Sequence, residues 1–177
     1  MLIKPHIKPV VLQNQLIIYI PPVPKGMTII RDNNEQKPYK FPECEYVDKS
    51  IDCGDYTIEG YEGQIVIERK ELNDFYGSIT HNRDRFDRMW ERCRNAEFKG
   101  LLIEAREEEV YCPEMSFSNV NSNSIYGSIV SFQIKYNVHV YCNTREMCRQ
   151  RLVNWLVKFY KEKNKKGKKE NCDVVNK

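Results

Sequence analysis

No apolar run in the 177 residues approaches the roughly 20 needed to cross a bilayer. Met1 to Val11 is interrupted by Pro5 and Pro9 and lacks the continuous apolar stretch of a secretory signal. The expected location is therefore the cytoplasm, or the nucleus, nucleoid or host-cell cytoplasm according to source. Cys-x-x-Cys pairs are also missing. The seven cysteines (44, 53, 93, 112, 142, 148 and 172) are odd in number and scattered, and the three histidines lie far from any Cys–Cys spacing. That argues against a disulfide framework and a structural zinc site, and for reduced thiols. A large excess of one charge is absent too, the formal net charge being only +3.

The charge is unevenly spread, however. Lys158 to Lys177 holds eight lysines against Glu162, Glu170 and Asp173, so the remainder of the chain is slightly acidic. The basic end is a solubilising tail or a source of non-specific affinity for phosphate backbones, and the body keeps its acids for another purpose. The length suits one well-cored domain, and there is no internal repeat.

Residues 1–26 form a Pro-rich lead in which Leu16 to Ile20 has strand character. From Met27 the pattern becomes that of a folded domain, expected to run over 27–163, and 164–177 is expected to be a disordered Lys-rich tail. Thr28-Ile29-Ile30 and Gln64 to Glu68 read as strands, the second β-branched and preceded by Gly60 and Gly63. Asn73 is placed as a helix cap. Phe75, Ile79, Phe86, Trp90 and Cys93 then recur on one helical face. Gly100 to Ile103 is a short buried strand followed by Glu104. Residues 106–123 read as loop, 124–136 as a second helix, 137–141 as a strand, and Thr144 caps a last helix. Alternating strands and helices imply an α/β fold, a central mixed sheet flanked by helices on both faces.

The chemistry concentrates in Cys53-Gly54-Asp55-Tyr56 and Ile67-Glu68-Arg69-Lys70. Alternation along a strand puts Glu68 and Lys70 on one face and Arg69 on the other. Two carboxylates bind a hard divalent cation through oxygen, which suits Mg²⁺ or Mn²⁺ rather than zinc. Such a cation polarises a phosphodiester and acidifies water. A lysine alongside can act on that water or offset charge on the phosphoryl oxygens. Enzymes lower barriers by roughly 8–23 kcal/mol, more than one carboxylate or one lysine supplies. By itself D…ExK is a weak signal, since a turn aspartate and a Glu–Lys surface pair produce it by chance.

The wider string is specific. Gly54-Asp55, then Glu68-Arg69-Lys70 and Asp74, matches GD…ERKxxxD, and the chain resembles the nuclease domain of the XPF-type structure-specific endonucleases, which have a restriction-endonuclease-like fold. Upstream, Asp32-Asn33-Asn34-Glu35 matches the family's D-x-R-E element, with Asn34 where the family has arginine. Downstream, Ser78-Ile79, Arg83, Arg85 and Phe86 match its S-I…R…F stretch, and a Leu-Ile-Glu strand follows at 102–104. The resemblance spans about Thr28 to Lys161.

It implies a metal-dependent DNA endonuclease with Asp55 and Glu68 as metal ligands, Asp32 as a third acid, Lys70 as base or charge stabiliser, and Glu35 as a supporting or ligating carboxylate. Arg69, Asp74, Arg83 and Arg85 are candidates for nucleic-acid contact, each also readable as fold support or a solvated face. Branched, flap or fork DNA is the implied substrate class, with a role in repair or recombination. A homodimer is implied too, for which Ile125, Ile129, Phe132, Tyr136, Trp155 and Phe159 are the candidate surface. The chain has no room for the tandem helix-hairpin-helix module of many relatives, so a short stand-alone nuclease, as in mobile-element genomes, is expected. Two rivals stay open: an inert DNA-binding or dimerisation partner, and a nuclease acting on RNA or on DNA without selectivity. Intact Asp55, Glu68 and Lys70 weigh against the first.

Overall fold

The computed structural model describes residues 20–113 and 120–174, with side chains through Lys165. Six strands, β1 (Thr28–Arg31), β2 (Glu45–Asp48), β3 (Tyr56–Ile58), β4 (Ile65–Glu71), β5 (Phe98–Glu104) and β6 (Val138–Cys142), form one sheet in the order β2-β1-β3-β4-β5-β6. β3 runs antiparallel to both β1 and β4, whereas β1–β2, β4–β5 and β5–β6 pair in parallel. The sheet is therefore mixed, as expected. Five helices surround it: α1 (Leu72–Ile79), α2 (Arg83–Arg92), α3 (Glu107–Tyr111), α4 (Ser122–Tyr136) and α5 (Arg145–Val174).

Strand alternation divides the core in two. Val66, Leu101 and Ile103 face one side, where Phe75, Tyr76, Phe86, Trp90, Ile125, Ile129 and Phe132 of α1, α2 and α4 cover them. Ile65, Ile67 and Leu102 face the other, against Cys148, Leu152, Val153, Leu156 and Val157 of α5. Gly100 lets α5 approach closely, because a Cβ there would lie 2.6 Å from the Trp155 ring.

Several local expectations are corrected. The apolar face from Phe75 to Cys93 belongs to two helices. In the last turn of α1 the Ser78 and Thr80 hydroxyls donate to the carbonyls of Asp74 and Tyr76, which competes with helix continuation before α2 begins. Glu71 occupies the N-cap of α1, not Asn73. Asn121 caps α4, its Oδ1 accepting from the Ser124 N–H at 2.8 Å, and Asn137 ends that helix in the left-handed region. β2 and β3, only four and three residues long, and α3 carry too little periodicity to read from sequence. α5 continues to Val174, past the Lys163 limit expected for order. Its lysine-rich turns contain no proline, and Glu162 pairs with Lys158 and Lys165. The expected strand at Leu16 to Ile20 lies, except for Ile20, outside the described residues. Among the described residues no helix is long and apolar enough to cross a membrane.

Candidate active site

Gly54 is where sequence and geometry meet. Its φ is +75°, and a Cβ would fall 2.7 Å from Val66 Cγ1 and 3.0 Å from the Ile67 carbonyl oxygen. Only glycine lets the backbone press against β4 there. The next residue is fixed as a result. The Asp55 N–H donates to Ile67 O at 2.9 Å, its carbonyl accepts from the Asp32 N–H at 2.8 Å, and its Oδ2 accepts from the Arg69 N–H at 2.7 Å. Asp55 thus ties the end of β1 to β4, through its backbone to Asp32 and Ile67 and through its carboxylate to Arg69.

Glu68 and Lys70 share the β4 face that carries Val66. Glu68 is buried, and Lys70 Nζ lies 2.5 Å from its Oε1 and 5.6 Å from the centre of the Phe86 ring. Asp55 Oδ1 and Glu68 Oε2 have no hydrogen bond among the described residues. Burial first, and the Glu68 charge second, push the Asp55 carboxyl well above the ordinary carboxylate range, against the Arg69 N–H and the Lys70 ammonium. For Lys70, burial opposes the charge, but Glu68, and then Asp55 and Asp74, outweigh it and hold the ammonium above the usual lysine range.

These groups lie in an open cleft of about 910 Å³, whose lining includes Asp32, Asn34, Asp55, Glu68, Lys70 and Asp74. The turn between α1 and α2 contributes His81 to the same cleft, and α2 contributes Arg85 and Arg92. Asp32, expected as a third metal ligand, lines the cleft, but its oxygens accept from the Asn34 and Ile51 N–H groups at 3.2 and 3.3 Å. No three His, Cys, Asp or Glu side chains among the described residues form a ready metal cage.

Three further expectations move. Glu35 is not a cleft carboxylate. Both its oxygens lie 3.1 Å from the Arg69 guanidinium, and one also accepts from the Lys37 N–H. Arg69, a candidate phosphate contact, is turned to the opposite face, where its Nη1 donates to Glu104 Oε2 at 2.8 Å. The side chains of Glu35, Arg69 and Glu104 are each only 6% exposed. Tyr39 and Arg145 also donate to Glu104, which completes a buried network. Arg83, the third, braces α2 to α4. It donates to Ser128 Oγ at 2.8 Å, pairs with Asp87 at 3.3 Å and lies 4.8 Å from the Phe132 ring centre. Arg85 and Asp74, by contrast, are exposed in the cleft lining.

Arg92 escaped the sequence reading, and His81, read from sequence as structural or incidental, lines the cleft. Arg92 falls seven residues after Arg85, two turns along the same helix, and that spacing is the signal that would have found it. Asn34, which stands where the family has arginine, lines the cleft, and its N–H donates to Asp32 Oδ2.

A mixed sheet with helices on both faces and an Asp, a Glu and a Lys converging beside its central strand defines a nuclease domain of the restriction-endonuclease-like class. The ERCC4 domain model matches residues 28–159, and the chain belongs to that family of XPF-type nuclease domains. Among solved structures it is similar to XPF from Aeropyrum pernix, with a TM-score of 0.58 at 15% identity over 84% of this chain and 72% of that one. It is also similar to XPF from Aeropyrum pernix in complex with DNA, with a TM-score of 0.58 at 17% identity over 76% of this chain and 65% of that one. Curated proteins give no match to the chain.

Proposed function

We propose that this chain is a divalent-metal-dependent endonuclease that hydrolyses DNA phosphodiesters in the cleft beside β4. The observation that carries this reading is the pairing of Asp55 and Glu68, two carboxylates crowded into one desolvated place, each with an oxygen left without a hydrogen bond. Burial first, and the Glu68 charge second, raise the Asp55 carboxyl, and a hard cation held by these residues would offset both. The donor set therefore fits Mg²⁺ or Mn²⁺, with Asp55 and Glu68 as the residues that would hold it. Asp32 serves through the backbone turn it caps. When bound, such a cation supplies Lewis-acid polarisation of the phosphodiester and acidifies the attacking water.

The remaining work falls to the chain's own side chains. Lys70, whose ammonium the Glu68 charge favours against burial, would act on the attacking water or offset charge on the phosphoryl oxygens. Arg85 and Arg92, about 10.5 Å apart along the helix axis, point the substrate backbone across the cleft. That span covers about three phosphates of one duplex strand at roughly 3.4 Å of axis each. Asp74 faces the same space and limits how closely a phosphate can approach α1. Arg69 and Glu35 act on the site only through the backbone of β4.

DNA as substrate is supported by the family and by the similarity to XPF from Aeropyrum pernix solved with DNA. Branched, flap or fork structures are the proposed subclass, with repair or recombination as the setting. The proposed assembly is a homodimer through α4. The test is incubation with duplex, single-stranded, flap and fork DNA and with RNA, in Mg²⁺, Mn²⁺ or excess chelator. Cleavage of branched DNA that vanishes with chelator and returns with either metal is the expected result. Undiminished cutting in chelator would overturn the metal mechanism, and preference for RNA would overturn the substrate assignment.

A further inference from the structure

Two cysteines approach each other in the wall of the cleft, from parts of the chain 40 residues apart. Cys53 precedes Gly54-Asp55, and Cys93 is the C-cap of α2. Both thiols donate to the carbonyl oxygen of Met89, at 3.2 and 3.4 Å, so the two sulfurs converge on one acceptor. Cys53 also lies 3.4 Å from Met89 Sδ. Both are free thiols. Their accessibility differs: Cys53 is partly exposed and lines the cleft, and Cys93 is buried behind it. We propose that Cys53 and Cys93 form a redox modification site, joined into a reversible disulfide by a two-electron oxidant of the hydroperoxide class.

The chemistry divides between the two positions. The cleft admits the oxidant to Cys53, whose sulfur takes one peroxide oxygen to become a sulfenic acid while the other oxygen leaves as hydroxide. The Cys93 sulfur attacks that sulfenic sulfur, a second hydroxide leaves, and the S–S bond forms. With the two thiol protons counted, two thiols and one H₂O₂ give one disulfide and two waters. Cys93 and burial push the Cys53 thiol up, so access rather than acidity selects it for the oxidant. Cys53, against burial and with help from the Lys99 ammonium, favours the thiolate of Cys93, which suits the resolving role. Cys148 offers a contrast. It is fully buried, donates to Ile103 O and Asn143 O, and does not line the cleft.

The cross-link would tie the segment carrying Asp55 to the end of the helix carrying Arg85 and Arg92. A carboxylate moved by about 1 Å is enough to slow catalysis on the order of 100-fold. This consequence rests on the nuclease reading above; the cross-link itself does not.

The test treats the whole folded protein with H₂O₂, blocks free thiols, and maps disulfides by mass spectrometry of the digest. Cleavage of flap DNA in Mg²⁺ is followed in parallel, before and after reduction by dithiothreitol. The expected results are a Cys53–Cys93 peptide pair lost on reduction, and cutting that falls on the order of 100-fold and recovers. Cys93→Ser and Cys93→Ala should cut like the reduced parent and be insensitive to peroxide. Cys53 found as sulfinic acid with Cys93 still a free thiol, or only pairings among other cysteines, would overturn the site. A mapped disulfide with unchanged cutting, or peroxide inhibition shared by the Cys93 variants, would overturn its effect on catalysis. Were the reduced protein to cut nothing, the nuclease reading would fail, and the peptide map would still decide the cross-link.

Discussion

At the scale of single residues, Asp55 is held at a disadvantage. Its carboxyl is raised above the unfolded value, so the native state binds the extra proton as pH climbs past the ordinary carboxylate range. The stability this group contributes is fully present below its unfolded pKa and is lost as pH rises through the folded one. Replacing Asp55 by Asn removes that loss. Without metal, the variant should melt at or slightly above the parent's temperature at neutral pH, and its stability should decline less with rising pH. The stabilisation gained on adding Mn²⁺ should shrink. Thermal melts across pH, with and without Mn²⁺, measure all three. A variant that melts lower and keeps the full metal response would mark Asp55 as a structural ion-pair member instead.

Glu35 has the opposite sign. Burial works against its charge, but the Arg69 hydrogen bond and the Lys37 N–H more than compensate and lower its pKa. Its contribution is present above the unfolded value and lost as pH falls through the folded one. Glu35→Ala strands part of the Arg69 charge in a buried place, an effect of about 3–5 kcal/mol when one partner of such a pair is removed. Chemical denaturation should show a loss of that order, with DNA affinity of the surviving folded fraction little changed. A large loss of DNA affinity at unaltered stability would return Glu35 to the cleft.

These two carboxylates also explain what could be read in advance. Asp55, Glu68 and Lys70 were legible because their residue types, order and spacing carry the chemistry, and strand alternation alone puts Glu68 and Lys70 together. Between the supporting and ligating roles left open for Glu35, and between face and phosphate contact for Arg83, the sequence could not choose, because a motif gives order along the chain but not direction in space. The partners that claim them, Arg69 for one and Ser128 and Phe132 for the other, lie 34 or more residues away.

Among elements, α2 is the one that joins cleft and core. Phe86 and Trp90 bury one side, and Arg85 and Arg92 line the cleft on another. Arg92 Nη2 makes only a 3.3 Å bond to the Asp52 carbonyl, so its charge is available to a phosphate. Arg92→Ala should weaken DNA binding about equally for all sequences and reduce the slope of log affinity against log salt by about 0.9. Arg83→Ala should instead lower stability through the α2–α4 contact and leave that slope alone. Binding isotherms at three or more salt concentrations separate the two, and an unchanged slope for Arg92→Ala would remove it from the interface. Of the helices, α2 and α4 were legible in the sequence and α3, five residues long, was not. The break between α1 and α2 was not, because hydroxyl back-bonds at Ser78 and Thr80 leave no apolar signature.

At the scale of the whole molecule, the expected dimer surface requires revision. Ile125, Ile129, Phe132 and Tyr136 are buried in the protein's own core, while Trp155 packs on Phe98 and Tyr141, and Phe159 on Tyr61. The apolar groups of α4 left in solvent are Tyr126, Val130 and Ile134, spaced four residues apart, with Tyr126 61% and Ile134 83% exposed. The proposed homodimer should therefore form through these three. Ile134→Glu should shift the mass seen by light scattering at micromolar protein from dimer to monomer. A parent that is already monomeric would refute the pairing.

The mixed sheet with helices on both faces was legible from the alternation of strand and helix patterns, since each buried face needs a covering layer. Strand order was not, because β2 and β3 are too short to announce themselves. The central claim is that these layers exist to hold Asp55, Glu68 and Lys70 around a cation and a phosphodiester. The most direct measurement compares cutting of flap DNA in Mg²⁺ by the parent, Asp55→Asn and Lys70→Ala, with folding and DNA binding checked for each. The account predicts that both variants fold and bind DNA nearly as the parent does and do not cut it. Cutting by Asp55→Asn at the parent's rate would contradict it.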